Sequence, residues 1–572
     1  MTSRRSGADL VACATLVGLD VAVIVALWPT LVRPLWYDEA WRAYHISVGA
    51  GWFETLRTAN APLSFGWFTV EKLAVTVGGN TEGVLRLPQI VALIALSLFT
   101  YALGRWWLSR PAATIVAGLL SVNGGLLVYG MQLKSYLPEA TCAVATLYLW
   151  LRARCAVTAG GSPWRAQLGM AVCAVMSVTS LFVLAPLLLL DVLDAGQAVG
   201  SRRPAVLRLI GSVLVGATGA VHLALFVLPQ SYLAANPYWR NFFITRNTAV
   251  GQLRTAGWEL PRNAFTAAMT RPDGQFGSPF TGSPLLADPD QRLHVCVIAG
   301  ALLCWAVGSY VAARDRAGRA LLVALGGTLL LIVLASARGQ WPVGFVRANL
   351  FVVPLLYVVA GIGASALVGL ARSRIGHARI GRVWRIRRSV MVIPVLAVPL
   401  AVVVAAAVAV TAVSAQRILQ IRASAYSPLL LGDMRELVAT AERTARPGDI
   451  QIVIPGRWDE RQWYKAQQYY VSYYSGYQAS ALPRLPIAEV NTLVLPPLGW
   501  NTSIPAFLAA RPDAGALYLI TYNLVFPNSL HSLDSMLAAL GWCPDDTGRR
   551  SWPLTGQLTR FIHCPPPATA TR

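Results

Sequence analysis

The chain has 572 residues, of which 55% are hydrophobic and only 13% charged. Soluble globular chains carry about 25% charged residues, so this composition excludes a soluble enzyme, a disordered chain, a collagen and a coiled coil. The net charge is +22, but 34 basic and 15 acidic residues lie before position 415 and only 14 and 11 after it. The excess therefore sits in the hydrophobic part, where basic residues set topology, and no Lys/Arg tract on a soluble domain points to nucleic acid.

In chain order, apolar runs fit to span a bilayer fall near 10–32, 84–104, 112–129, 137–151, 205–228, 292–312, 320–336, 349–370 and 390–414. The stretch 166–194 is too long for one span and reads as two short ones turning near Thr179-Ser180. The expectation is a multi-span α-helical membrane protein of about 11 helices over 1–414, with an α/β domain over 415–572. The alternate loops 1–9, 104–112, 151–167, 195–209, 313–320 and 371–389 hold 20 basic residues against two acidic ones, Asp9 and Asp315. By the positive-inside rule these face the cytoplasm, which puts the N-terminus inside and the C-terminal domain outside a plasma membrane. The first run reads as a transmembrane helix, not a cleaved signal peptide. Asp20 within it is read first as a helix-packing contact, although intramembrane acids also mark functional sites.

In the last 158 residues, Ile450–Ile454, Asn491–Leu495 and Ala516–Thr521 read as strands. Stretches 431–445, 459–472, 504–510 and 530–541 read as helices. No glycine-rich phosphate loop follows any strand. Cys543 and Cys564 lie in this outer, oxidising region and are read as a disulfide, the alternative being two free thiols. The other six cysteines lie in or near membrane helices without metal-like spacing. His45, His294 and His531 are isolated, so no zinc site is expected.

The chemistry-bearing signal is in the first outer loop, 33–83. Arg33-Pro34-Leu35-Trp36-Tyr37-Asp38-Glu39-Ala40-Trp41-Arg42 puts two adjacent carboxylates at the membrane surface among aromatics. Two amphipathic aromatic stretches follow, 41–57 and 62–77, the second with Glu71-Lys72 and suited to the interface. A partly desolvated carboxylate there is a stronger base, able to deprotonate an alcohol as it attacks a carbon; the rival reading is a surface ion pair with Arg33 or Arg42. Other outer ends carry cations: Arg86 in Leu85-Arg86-Leu87-Pro88, Lys134 in Gln132-Leu133-Lys134-Ser135-Tyr136, and Arg338 and Arg347 in the stretch 338–349. A base and several cations on one membrane face suit an anionic lipid donor whose phosphate leaves. The alternative for each cation is snorkelling at the interface.

These motifs resemble the GT-C membrane glycosyltransferases, most closely the protein O-mannosyltransferase and aminoarabinose transferase branch. An acidic pair just after the first helix is that family's hallmark. Pro62-Leu63 resembles its Pro-Pro-Leu-Tyr stretch, with Ala61 in place of the first proline. Arg86-Leu87-Pro88 matches its Arg-Leu-Pro, and Gln132–Tyr136 resembles its Gln-Glu-Ala-Arg-x-Tyr element, shortened and with lysine for arginine. Arg347-Ala348-Asn349-Leu350-Phe351 with Pro354 is similar to its late arginine segment. Pro447-Gly448-Asp449 before a strand, followed by Tyr469-Tyr470, resembles attached outer domains. The loop 229–291 matches no motif, and lysine at 134 lacks the bidentate fork of arginine.

The resemblance implies transfer of a sugar from a polyprenyl-phosphate donor to an envelope glycan, glycolipid or protein acceptor on the outer face, with inversion. It implies Asp38 as base with Glu39 as helper; Lys134, Arg347 and Arg86 at the donor phosphate; and Tyr37, Trp41 and Tyr136 at the substrate. Some members place a divalent metal at the acidic pair, but two carboxylates are too few ligands to predict one here, and no cofactor is expected. The Arg/Ala/Val/Gly bias, with only three lysines, suggests a high-GC bacterium such as an actinobacterium. In such a source polyprenyl-phosphate mannose and polyprenyl-phosphate arabinofuranose are the candidate donors, and the resemblance favours mannose because that branch contains mannosyltransferases. The rival functions are a transporter or flippase of a lipid-linked precursor, for which Asp20 and His222 are the midplane candidates, and a non-catalytic envelope scaffold.

Overall fold

The computed structural model describes residues 7–35, 37–47, 55–56, 64–123, 126–127, 130–196, 202–228, 242–245, 247–254, 289–343, 346–380, 440–441, 443–454, 491–495, 500–522, 527–545, 550–552 and 556–565. Its first part is helical: α1 Gly7–Ala26, α2 Trp28–Val32, α3 Tyr37–Ser47, α4 Phe65–Gly78, α5 Glu82–Gly104, α6 Arg110–Ser121, α7 Tyr136–Thr158, α8 Trp164–Met176, α9 Ser180–Gly196, α10 Arg202–His222, α11 Ala249–Arg254, α12 Pro289–Ala313, α13 Arg316–Ala337 and α14 Val353–Ile380. The protein is membrane-embedded. Among the described residues five stretches are long and apolar enough to cross a bilayer: Gly7–Ala26, Glu82–Gly104, Val206–Val227, Arg316–Ala337 and Ala348–Leu370. The run 390–414 lies outside the described residues, and α6, α8 and α9 are 12, 13 and 17 residues long. The stretch 166–194 does break into two helices. The break falls at Ser177–Thr179, where the hydroxyls of Ser177 and Thr179 bond each other and Ser177 caps the Ser180 amide.

Local chemistry sets the helix ends. Thr81 caps α5 by accepting the Val84 amide, and Asp315 caps α13 by accepting the Gly318 amide. Helices α12 and α14 cross where two glycines meet: a Cβ on Gly308 would overlap the Val359 carbonyl oxygen, and one on Gly363 the Cys304 carbonyl oxygen. Asp20 of α1 is fully buried and accepts a 2.6 Å hydrogen bond from Ser97 of α5, an interhelical contact.

Five of the six arginine-rich loops meet at one end of the bundle through a chain of polar contacts. Asp9 pairs with Arg110 at 2.9 Å and Arg105 at 3.6 Å, and Trp107 donates to Asp315 at 3.1 Å. Asp194 then joins Arg316 at 3.3 Å, Arg154 at 2.5 Å and Arg208 at 3.6 Å. Asp191 holds Arg208 at 3.1 Å and accepts from Trp150 and Ser212.

The second part is a six-stranded sheet: β1 Ile450–Ile454, β2 Thr492–Val494, β3 Leu517–Tyr522, β4 Trp542–Pro544, β5 Arg550–Trp552 and β6 Gly556–His563, in the order β2-β1-β3-β6-β4 with β5 also on β6. The first three strands are parallel, and β6 runs antiparallel to β3, β4 and β5. Alternation divides the faces. Ile450, Ile452, Ile454, Leu517, Leu519 and Phe561 pack under helices α15 Trp500–Ala509 and α16 Pro527–Ala539. On the other face Val453, Tyr518, Ile520 and Leu558 belong to a core continuous with Ala40, Trp41 and Ala43 of α3 and Phe68 of α4. The sheet therefore sits at the α3 end of the bundle. Cys543 and Cys564 form a disulfide tying β4 to the residue after β6. Of the helix expected at 431–445, residues 440, 441, 443 and 444 are helical, while 431–439 and the helix expected at 459–472 lie outside the described residues.

Candidate active site

The chain leaves α1, makes the short α2 and turns through Arg33-Pro34-Leu35 into α3, which carries the acidic pair as its second and third residues. Pro29 near the start of α2 suits the first turn of a helix, since the N–H it lacks has no partner there. The turn is held from α5. Arg86, fully buried, donates through Nη1 to the carbonyls of Leu31 at 2.8 Å and Arg33 at 2.7 Å, and through Nη2 to that of Pro34 at 3.4 Å. Its Nε and Nη2 also grip Glu39 at 3.0 and 2.8 Å, a bidentate ion pair. Arg33 stands 3.9 Å from the same carboxylate.

Glu39 carries the connection onward. Its Oε1 accepts the Leu133 backbone amide at 2.5 Å, which docks the loop that contains Lys134. Gln89, one turn beyond Arg86 on α5, donates to the Lys134 carbonyl at 3.3 Å and to Glu71 at 3.5 Å. Glu71 of α4 is fully buried, pairs with Arg42 of α3 at 3.1 Å and accepts from Trp67 at 2.8 Å. Ser135 donates to Glu139 at 2.7 Å in the first turn of α7. Two buried ion pairs, one from Glu39 in the first turn of α3 and one from Arg42 at its middle, thus fix that helix against α4, α5 and the 131–135 loop. At the start of α4, Ser64 donates to the Met176 carbonyl, and the Phe65 amide donates to Nε2 of His222 at 3.1 Å. His222 is followed by a π-helical turn, Leu223–Val227.

Burial alone would raise the Glu39 pKa. The charges of Arg86 and Arg33, with hydrogen bonds from Arg86 and the Leu133 amide, outweigh it and hold the pKa below the usual glutamate value. A carboxylate so occupied and so weakly basic is poorly suited to accept a proton.

Glu39, expected as helper to the base, is the ion-pair partner of Arg86. Arg86, expected at a lipid phosphate, is enclosed by protein carbonyls and Glu39. Trp41, expected to stack on a sugar, is 6% exposed and lies in the core with its edge against His45. Tyr136 is half-buried and packs against the bundle core. Of the two arginines considered as ion-pair partners of the acidic pair, Arg33 lies 3.9 Å from Glu39, which is buried, and Arg42 turns to Glu71. The side chains of Tyr37, Asp38 and Arg347 lie outside the described residues. Arg347 belongs to a 3-10 helix, Val346–Val352, which packs on α7, the helix that follows Lys134. Among the described residues no three His, Cys, Asp or Glu side chains gather as a metal site. Sequence reasoning missed Arg42, Glu71 and Gln89 as a connected set; Glu71-Lys72 in an apolar stretch was the signal for one of them.

The sequence matches no protein-family model and no curated protein sequence. Among solved structures the chain resembles ArnT from Cupriavidus metallidurans in the apo state, with a TM-score of 0.50 and 13% identity, covering 96% of this chain and 98% of that one. The chain has the GT-C fold. The same ArnT bound to undecaprenyl phosphate gives a TM-score of 0.48 at 10% identity, with the same coverage. The archaeal oligosaccharyltransferase AglB from Archaeoglobus fulgidus, in complex with an inhibitory peptide and a dolichol-phosphate, gives 0.49 at 13% identity, covering 90% of this chain and 69% of that one. In this chain the acidic helix α3, the Arg-Leu-Pro segment inside α5 and the lysine loop are three separate stretches of sequence joined through one glutamate.

Proposed function

We propose that this protein is a membrane glycosyltransferase that moves a sugar from a polyprenyl-phosphate donor to a hydroxyl of an envelope glycan, glycolipid or protein. The observation that carries this reading is the Glu39 junction. It brings the helix bearing Asp38 and the loop bearing Lys134 together at the same end of a GT-C bundle. Asp38 is assigned as the base, taking the acceptor proton as the acceptor oxygen attacks the anomeric carbon and the lipid phosphate leaves from the opposite face. Lys134 and Arg347 are assigned to the departing phosphate, whose growing charge they neutralise. Glu39 and Arg86 are positioning residues, setting where α3 begins.

Mannose is the favoured sugar and arabinofuranose the second, and the N-terminus is assigned to the cytoplasm. The arginine-rich loops gathered at the end opposite α3 support that orientation, and the core shared by α3 and the sheet puts the C-terminal domain, taken as 415–572, on the outer side. No metal is assigned. The two midplane candidates for transport are engaged in helix packing, Asp20 with Ser97 and His222 with the Phe65 amide.

The test is transfer in membranes that contain the protein. They are supplied with labelled polyprenyl-phosphate mannose or polyprenyl-phosphate arabinofuranose and an extract of envelope acceptors. Incorporation above control membranes from one donor is expected; none from either, with folded protein present, contradicts the donor assignment.

A further inference from the structure

Away from the candidate active site, at the end of the bundle that gathers the arginine-rich loops, α1 and α6 flank an open surface groove of about 740 Å³. Ala8, Val11, Ala12 and Thr15 form one wall, and Thr114 and Ile115 the other. Val11 and Ile115 are 66% and 59% exposed, side chains that in a bilayer face acyl chains. The groove is closed by Arg105 and Arg110. Asp9 pairs with both guanidiniums, so the three charges sum to one positive. Arg110 reaches Asp9 with Nε and Nη2, and Arg105 with Nε while its Nη1 donates to the Leu108 carbonyl. Among the described residues, Nη1 of Arg110 and Nη2 of Arg105 make no hydrogen bond.

We propose that this groove binds one anionic phospholipid of the surrounding leaflet, its phosphate held by Arg105 and Arg110 and an acyl chain lying along Val11, Thr15, Thr114 and Ile115. A zwitterionic lipid brings its own cation beside the arginines and loses the charge match. A free phosphate finds the arginines but leaves the apolar walls uncovered. The combination selects a lipid with net negative charge.

The test uses the full chain, purified in an uncharged detergent, delipidated, and titrated with phosphatidylglycerol, phosphatidylcholine or inorganic phosphate. Bound lipids are counted by native mass spectrometry. One phosphatidylglycerol is expected to bind that phosphatidylcholine and inorganic phosphate do not displace. The double variant Arg105→Gln, Arg110→Gln is expected to lose about 30-fold in affinity for it, the weight of two basic side chains against an anionic lipid. Ala8→Trp, on an exposed position of the wall, fills the groove and leaves both arginines in place; it is expected to lose the same lipid without a lower Tm. Because Asp9 also uses the arginines, the Ala8→Trp result decides if the double variant is unstable. Equal binding of phosphatidylcholine, displacement by inorganic phosphate, or unchanged phosphatidylglycerol binding in Ala8→Trp would each overturn the proposal.

Discussion

Removing Glu39 leaves Arg86 buried without its counter-ion, and removing Arg86 leaves the buried Glu39 only Arg33 at 3.9 Å. Glu39→Gln and Arg86→Ala are therefore each expected to cost about 3–5 kcal/mol, read as a lower Tm in detergent. Arg86→Lys is expected to fall short of rescue, because one ammonium cannot reach Glu39 and the carbonyls of Leu31, Arg33 and Pro34 together. The pair also sets a pH dependence. The folded pKa of Glu39 lies below its ordinary value of 4.5, so its stabilisation is complete above that pH and is lost as pH falls through the folded value. The wild type should lose stability below pH 4.5 more steeply than Glu39→Gln, measured by thermal unfolding across pH 3–7; parallel curves would contradict the assignment. From sequence Asp38 reads as the base and Glu39 as its helper. What separates Glu39 is an arginine 47 residues further on, a partner that local spacing does not reveal.

At the scale of elements, the crossing of α12 and α14 depends on backbones touching at Gly308 and Gly363. Gly363→Leu forces the helices apart and is expected to cost about 1–3 kcal/mol, visible as a lower Tm; an unchanged Tm would mean the crossing is not that close. In the sheet, the disulfide spans a sequence separation of 21. Cys564→Ser is expected to cost about 3 kcal/mol through the loop left open in the unfolded chain, seen as earlier proteolysis of the C-terminal region. Much of this was legible. Hydropathy located the five described stretches able to span, the excess length of 166–194 announced a break, and β1, β2 and β3 fall within a residue or so of the expected strands. The π-turn after His222 was not legible, because an extra residue in a helical turn leaves no mark in hydropathy. Nor were β5 and β6, because Arg550–Trp552 and Gly556–His563 mix polar and apolar residues and become strands only by pairing with each other and with β3.

For the whole molecule the claim is sidedness. Five arginine-rich loops converge on one end through Asp9, Asp191, Asp194 and Asp315, while α3, the Lys134 loop and the sheet share the other. With exposed Cys155 replaced, Asp513→Cys in the turn before β3 should react with an impermeant maleimide in intact cells. Arg316→Cys, 70% exposed at the opposite end, should react only after permeabilisation. The reverse pattern would invert the orientation.

Asp38 as base is the central claim, and one comparison tests it most directly: the rate of sugar transfer by wild type and Asp38→Asn at equal abundance and equal Tm, with the donor that supports transfer. The amide keeps the size and shape of the side chain and removes its ability to take a proton. The account predicts a loss of about 10²–10⁴-fold. Full activity in Asp38→Asn would contradict it and place the base elsewhere.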